Sequence, residues 1–289
     1  MASLIDIRRR LRSVKNTQQI TKAMKMISAA RLRRAQERAI AARPYARILR
    51  EVLASVSSRV REMPHPLLAE REEKHVAVLV VSGDRGLAGG FNSNVNRAVL
   101  QLLSEKKWES VTILPIGKKA VEFSRRRRAK LAEKSYPGIF SKVEYSTAQE
   151  IAAGLSTEFA EGRIDAAYVV FNEFKSVIAQ TVRVERLLPI SRAQAALAEA
   201  PVSEVEPIFE PDPATILARL LPRYLEFAIY RILLESGAAE HAARMTAMDS
   251  ASKNAGDMID SLTLTYNRVR QARITKELIE IVSGASALE

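Results

Sequence analysis

The sequence predicts an α/β domain carried on a long antiparallel pair of helices, formed by the two ends of the chain. Three observations predict it. Residues 213 to 289 contain almost no loop chemistry, the first glycine of the chain is Gly83, and the residues between these helical ends change from helical to strand periodicity.

In the C-terminal stretch, Met245, Met248, Ser252, Ala255, Ile259, Leu262, Tyr266 and Val269 recur at alternating steps of three and four. Such a seam marks a helix packed along another helix. The next seam positions, Arg273 and Lys276, are charged, and Ile274, Leu278 and Ile281 resume on a shifted face. The helix is therefore expected to change partners after Val269. At the usual rise it would run about 110 Å, which no single helix sustains without a packed stripe. The one other segment long enough is at the opposite end of the chain.

That N-terminal segment is predicted helical over residues 1–62, ending before Pro64 and Pro66. Leu4, Ile7, Leu11 and Val14 start a ladder. Gln18 and Thr21 are read as spoiling its register, with Ile20, Met24 and Ile27 forming a rotated stripe and Leu49, Val52, Val56 and Val60 continuing beyond Pro44. Pro44 and, in the C-terminal helix, Pro222 are expected to kink or locally free the backbone.

Residues 75–190 read as the inserted domain. Strands are predicted at Val76–Val81, Val111–Ile116, Ala166–Phe171 and Val177–Leu187, and helices at Asn92–Lys107, Lys118–Arg128 and Thr147–Glu161. In the last strand Val182 and Val184 alternate with Arg183 and Glu185. Residues 191–212, with Pro201, Pro207 and Pro211, form a linker; Asp212 caps the final helix and Pro213 opens it.

The net charge of +12 resides in one segment. Residues 1 to 60 hold fifteen Lys or Arg against Asp6, Glu37 and Glu51, and the remainder is balanced at 30 of each sign. A solvated face normally mixes signs, and the face made by Arg8, Arg9, Arg10, Arg12, Lys15, Lys22, Lys25, Arg31, Arg33 and Arg34 does not. Nucleic acid and an acidic protein surface remain the two competing partners, although no aromatic residue precedes Tyr45 to stack on bases. Arg125 to Arg128, with Lys118, Lys119 and Lys130, make a second basic cluster suited to headgroups or a polar loop, or to a solvated helix end.

Catalytic chemistry finds no footing. There is no cysteine, and His65, His75 and His241 are scattered. The loop SGDRGLAGGFN follows the first strand, where a doubly wound fold places phosphate, but Gly83, Gly86, Gly89 and Gly90 do not fit the dinucleotide spacing and no Gly-Lys-Ser/Thr follows. A tight turn is the preferred reading. Glu277 and Glu280 are ordinary exposed neighbours on a helix. No run is apolar enough for a transmembrane segment or a secretory signal, which points to the cytoplasm. The residues read as a scaffolding or mechanical protein, with an α/β enzyme bearing a helical arm as the alternative.

ITKELIEIVSGAS (residues 274–286) resembles the C-terminal signature of the gamma subunit of F-type ATP synthases, carried by Ile274, Thr275, Glu277, Glu280, Gly284 and Ala285. DIRRRLRSVKNTQQITKAMKMISAARLRRAQ, VSGDRGLAGGFN, EPDPATIL and ARMTAMDSASKNAGDMI are similar to the same family, in order along the chain. The resemblance implies a non-catalytic rotor shaft without a cofactor, set in a ring of alpha and beta subunits. Its foot would bind the epsilon subunit and the membrane c ring, at the cytoplasmic face of the cell membrane. It further implies ring contacts at Lys22, Met24, Lys25, Arg33, Arg34, Arg244, Arg270, Gln271, Thr275, Glu277 and Glu280, with Lys22 to Met24 opposite Arg244. A foot loop would comprise Asp84, Arg85, Gly86 and Leu87. A basic coiled-coil nucleic-acid binder is the alternative.

Overall fold

The computed structural model describes residues 4–57, 65–190, 210 and 212–286. The expected end of the first helix before Pro64, the seam position Val60 and most of the 191–212 linker lie outside the described residues. The chain forms two compact units, Met1–Ser28 with Met245–Glu289, and Ala29–Arg244.

Helix α1 spans Leu4–Ser57 and the final helix, α5, spans Pro213–Ser286. Each is continuous through its proline, Pro44 or Pro222, so neither proline ends its helix. The Asp212 carboxylate accepts from the Thr215 N–H at 3.0 Å and the Thr215 hydroxyl at 2.6 Å, the cap that the sequence predicts.

In the first unit the two helices run antiparallel. Arg8 donates to the Tyr266 hydroxyl at 2.8 Å, Gln18 to the Ser252 carbonyl at 3.4 Å, and Lys25 to Asp249 at 2.6 Å, so rising numbers on α1 meet falling numbers on α5. Every predicted seam residue from Met245 to Val269 is buried or half-buried.

The N-terminal seam differs from the sequence reading. Thr21 is buried and Gln18 half-buried, whereas Ile20 and Ile27 are 59% and 54% exposed. The ladder continues through the polar residues because α5 presents small side chains opposite them. A Cβ on Gly256 would stand 3.2 Å from the Gln18 amide nitrogen, so the helices approach closely there. Backbone carbonyls satisfy both polar groups, Ser252 for Gln18 and Gln18 for Thr21. Farther along, in the second unit, Leu53 is fully buried while Val52 is 38% exposed, which corrects the predicted continuation through Val52.

The second unit holds the α/β layers. In order they are β1 (His75–Val81), α2 (Phe91–Glu105), β2 (Ser110–Ile116), α3 (Lys118–Arg126), α4 (Tyr145–Ala160), β3 (Ala166–Phe174) and β4 (Gln180–Leu188), with 3-10 turns at Pro66–Leu68 and Ile139–Ser141. The strand order is β2-β1-β3-β4; β1 is parallel to β2 and β3, and β4 is antiparallel to β3. Central β1 is an unbroken aliphatic run because helices cover both its faces. Val76, Val78 and Val80 pack with Val95, Val99 and Ala120 of α2 and α3. On the other face Ala77, Leu79 and Val81 join Ile151 and Phe159 of α4, Leu53 and Val56 of α1, and Leu221, Leu225 and Ile232 of α5. The C-terminal end of the described α1 and the first third of α5 are thus one layer of this core.

Edge strand β4 does not follow the simple alternation expected of it. Arg183 and Val184 are both exposed, and the Arg183 guanidinium pairs with Glu173 on the neighbouring strand at 3.0 Å. An edge strand covered on one side only near its end keeps no strict two-residue burial period.

Candidate functional site: a bare helix tip and a filled crevice

In the first unit, seam burial stops at Val269. All residues from Arg270 to Ser283 are exposed. Tyr266 is already opposite Arg8, close to the first described residue of α1, so α5 outruns its partner among the described residues. Ile274, Leu278 and Ile281 share one face of this tip and are 48%, 57% and 68% exposed. An isolated amphipathic helix of this length is marginal in water, and its apolar face is stabilised by burial against a partner.

The predicted contact residues Arg270, Gln271 and Thr275 stand exposed on the same tip. Glu277 accepts from Arg273 at 2.8 Å and Glu280 pairs with Lys276 at 3.6 Å. Such exposed pairs contribute only about 0.3–0.5 kcal/mol each. Gly284 and Ala285 belong to the helical backbone, but their side chains lie outside the described residues.

The basic residues are not all free. Lys25 and Lys253 hold the Asp249 carboxyl below the usual carboxylate range through their hydrogen bonds to it. Arg8 lies over the Tyr266 ring, 5.7 Å from its centroid, and its hydrogen bond holds the phenol below its usual range. Lys22 is exposed and Met24 half-buried. In the second unit Arg33 pairs with Glu37 at 3.2 Å, and Arg34 is exposed.

The second unit places the glycine-rich loop at the C-terminal end of β1, between β2 and β3, where the strand order reverses and doubly wound folds bind ligands. Here the chain's own side chains fill that position. Asp84 accepts from the N–H groups of Lys118 at 3.0 Å, Gly138 at 2.7 Å and Phe140 at 3.0 Å, so one carboxylate satisfies the start of α3 and the adjoining turn. Gly83 donates to the Asn92 side chain at 2.9 Å. Arg85, Gly86 and Leu87 form the exposed loop tip, with Leu87 65% exposed at φ 60°.

Helix α5 closes the crevice. Arg244 is only 6% exposed; it pairs with Glu240 and donates to the carbonyls of Arg85 and Gly86, both at 3.4 Å. A Cβ on Gly83 would meet the Glu240 carboxylate carbon at 2.9 Å, so glycine is required by close approach of a side chain rather than of a phosphate. Burial pushes the Glu240 carboxyl up, and Arg244 opposes that shift. Glu240 and Asn92 escaped the sequence reading. A Glu–Arg pair four residues apart, set among Ala238, Ala239, Ala242 and Ala243, is the signal that could have found the first.

His241, beside this pair, has a buried Nδ1 without a hydrogen-bond partner. Burial, Arg244 and Arg31 together lower its pKa from 6.5 to about 4. The folded state thus binds fewer protons here than the unfolded chain between these values, so stability is complete above the unfolded pKa and falls as pH drops through that window. His241→Gln is expected to remove on the order of 1–3 kcal/mol of this acid-side loss, measured as urea midpoints at pH 4.5 and 7.5.

Among the described residues no cluster of three or more His, Asp or Glu could hold a metal ion, and no helix is long and apolar enough to cross a membrane. The described arrangement leaves the tip of α5 uncovered and fills the strand-end crevice with side chains of the chain itself.

Comparison with known proteins agrees. The family model described as ATP synthase matches residues 3–288. The ATP synthase gamma chain of Solibacter usitatus is 52% identical over 293 residues, and that of Pelotomaculum thermopropionicum 50% over 289, each alignment covering 100% of both chains. The chain belongs to the ATP synthase gamma-chain family. Among solved structures, a chain of the Tetrahymena thermophila mitochondrial ATP synthase central stalk and c ring is 29% identical, with a TM-score of 0.60 and coverage of 81% of this chain and 99% of that one. A rotor chain of the Euglena gracilis mitochondrial ATP synthase, 18% identical, shares the fold at a TM-score of 0.63, covering 94% and 98%. As a gamma chain it is a subunit of a larger ATP synthase complex.

Proposed function

We propose that the chain is the non-catalytic central-stalk rotor of a proton- or sodium-driven F-type ATP synthase. It would couple ion flow through a membrane ring to ATP synthesis on beta subunits. The observation that carries this reading is the exposed tip from Arg270 to Ser283, a helix whose apolar face no other described element covers. A sleeve of alpha and beta subunits would sheathe Ile274, Leu278 and Ile281. Arg270, Gln271, Thr275, Glu277 and Glu280 would meet ring loops at the same level, and Lys22, Met24, Lys25, Arg33 and Arg34 would meet acidic loops lower down. Charge attraction at longer range suits a sliding contact, because interdigitated apolar side chains would lock one angle. The α/β layers, with the loop Asp84 to Leu87, would serve as the foot against an epsilon subunit and the c ring. In this reading the chain would sit peripherally at the cytoplasmic face of the cell membrane. Arg244 fits the ring-contact role least, being committed to Glu240 and the loop carbonyls.

Reconstitution with alpha and beta subunits tests the proposal. The chain alone is expected to hydrolyse no ATP and to raise the steady turnover of the ring. The triple change Ile274→Ser, Leu278→Ser, Ile281→Ser is expected to weaken association at least tenfold, since each apolar side chain buried contributes about 1.5–3 kcal/mol. Failure to associate, with salt-dependent binding to DNA instead, would support the basic coiled-coil alternative.

A further inference from the structure

The second unit contains a cleft of about 1060 Å³ between α1, α5 and β4 that the rotor reading does not use. Its walls include Ile40, Leu49, Phe227 and Leu234, and Glu185, Arg231 and Glu235 also line it. Arg231 donates to Glu235 at 3.2 Å and to Glu185 at 2.8 Å. One guanidinium therefore serves two carboxylates. The second oxygen of Glu235 is shielded from water and has no hydrogen-bond partner. A shielded, unpaired carboxylate oxygen costs free energy that an arriving donor recovers. Glu235 also lines the cleft, so a donor seated there lies within reach of this carboxylate.

The other cations of the cleft have acids of their own. Arg47 is 3.6 Å from Glu51, and Arg186 is 3.8 Å from Glu73. Glu173, close enough to act on Glu235, is paired with Arg183. The cleft thus joins apolar walls to a surplus of negative charge at its Glu185–Glu235 side, inside a protein whose net charge is +12. Volume and lining match a site for a small organic molecule.

We propose that this cleft is a binding site for a lipophilic amine, its alkyl chain lying against Ile40, Leu49, Phe227 and Leu234 and its ammonium group donating to Glu235 and Glu185. The site is independent of the rotor function, so its failure would leave that reading untouched.

The probe is n-octylammonium, titrated calorimetrically into the full chain beside 1-octanol and octanoate. Net positive charge alone favours octanoate, which makes preference for the amine diagnostic. One amine per chain is expected, bound at least tenfold tighter than either control. Glu235→Gln and Glu185→Gln should each weaken it at least fivefold in chains that keep the wild-type helical circular dichroism, and Ala42→Phe, which fills the cleft from α1, should abolish it. Equal binding of amine and alcohol, tighter binding of octanoate, absence of amine binding, or full affinity in Glu235→Gln would each overturn the proposal.

Discussion

Arg244→Ala is expected to destabilise the second unit by about 3–5 kcal/mol, the usual consequence of removing one partner of a buried ion pair. Arg244 and Glu240 are 6% and 3% exposed, and among the described residues no other basic side chain is paired with Glu240. Removing the guanidinium also frees the carbonyls of Arg85 and Gly86. The Glu240 carboxyl, already pushed up by burial, would be driven further toward its neutral form. The single tryptophan, Trp108, lies half-buried in this unit, so urea denaturation followed by its fluorescence reports the loss locally. The double change Glu240→Leu, Arg244→Leu should recover much of it, because no charge is then stranded. If Arg244 instead acted chiefly as a ring contact, the alanine variant would unfold like the wild type and lose coupling alone.

Gly117→Ala is expected to be more damaging, by about 4 kcal/mol or more, at the extreme of single substitutions. Gly117 has φ 91°, and an added Cβ would stand 1.9 Å from the carbonyl oxygen of Ser82. That carbonyl belongs to backbone emerging from β1, whose preceding peptide is tied to Ile116 through the 3.0 Å bond from the Ser82 N–H. Neither side of the clash can yield without opening the β1–β2 ladder. Gly86→Ala is the internal control: nothing lies within 4 Å of its Cβ position, so a change within about 0.5 kcal/mol is expected. Soluble yield and melting temperature of the two variants compare them directly.

Much of the fold is written in local periodicity. The C-terminal seam, its end at Val269 and the cap at Asp212 involve residues within a few positions of one another, and the structure shows each. Aliphatic runs place the first three strands for the same reason, and the Val182/Val184 alternation places β4 although its burial does not keep that period. The N-terminal seam was less legible, because Gln18 and Thr21 look like interruptions until Ser252 and Gly256 are known to lie opposite. The crevice was least legible. Asp84 finds its three donors on residues 34 to 56 positions away, and Arg244 meets Arg85 across 159 positions. No sequence period encodes such pairings; they follow only from strand order. The exposed tip could be read because the apolar spacing shifts face after Val269, a change carried by residues within a few turns of one another.

The central claim is rotation, and the chain's lack of cysteine allows a clean test. Arg126→Cys introduces one thiol at the exposed end of α3, where a bead can be attached after assembly with alpha and beta subunits on a surface. The account predicts continuous rotation of the bead in one direction on addition of ATP, at a rate that follows hydrolysis. Sustained ATP hydrolysis by the same assembly with a stationary or randomly fluctuating bead would contradict it.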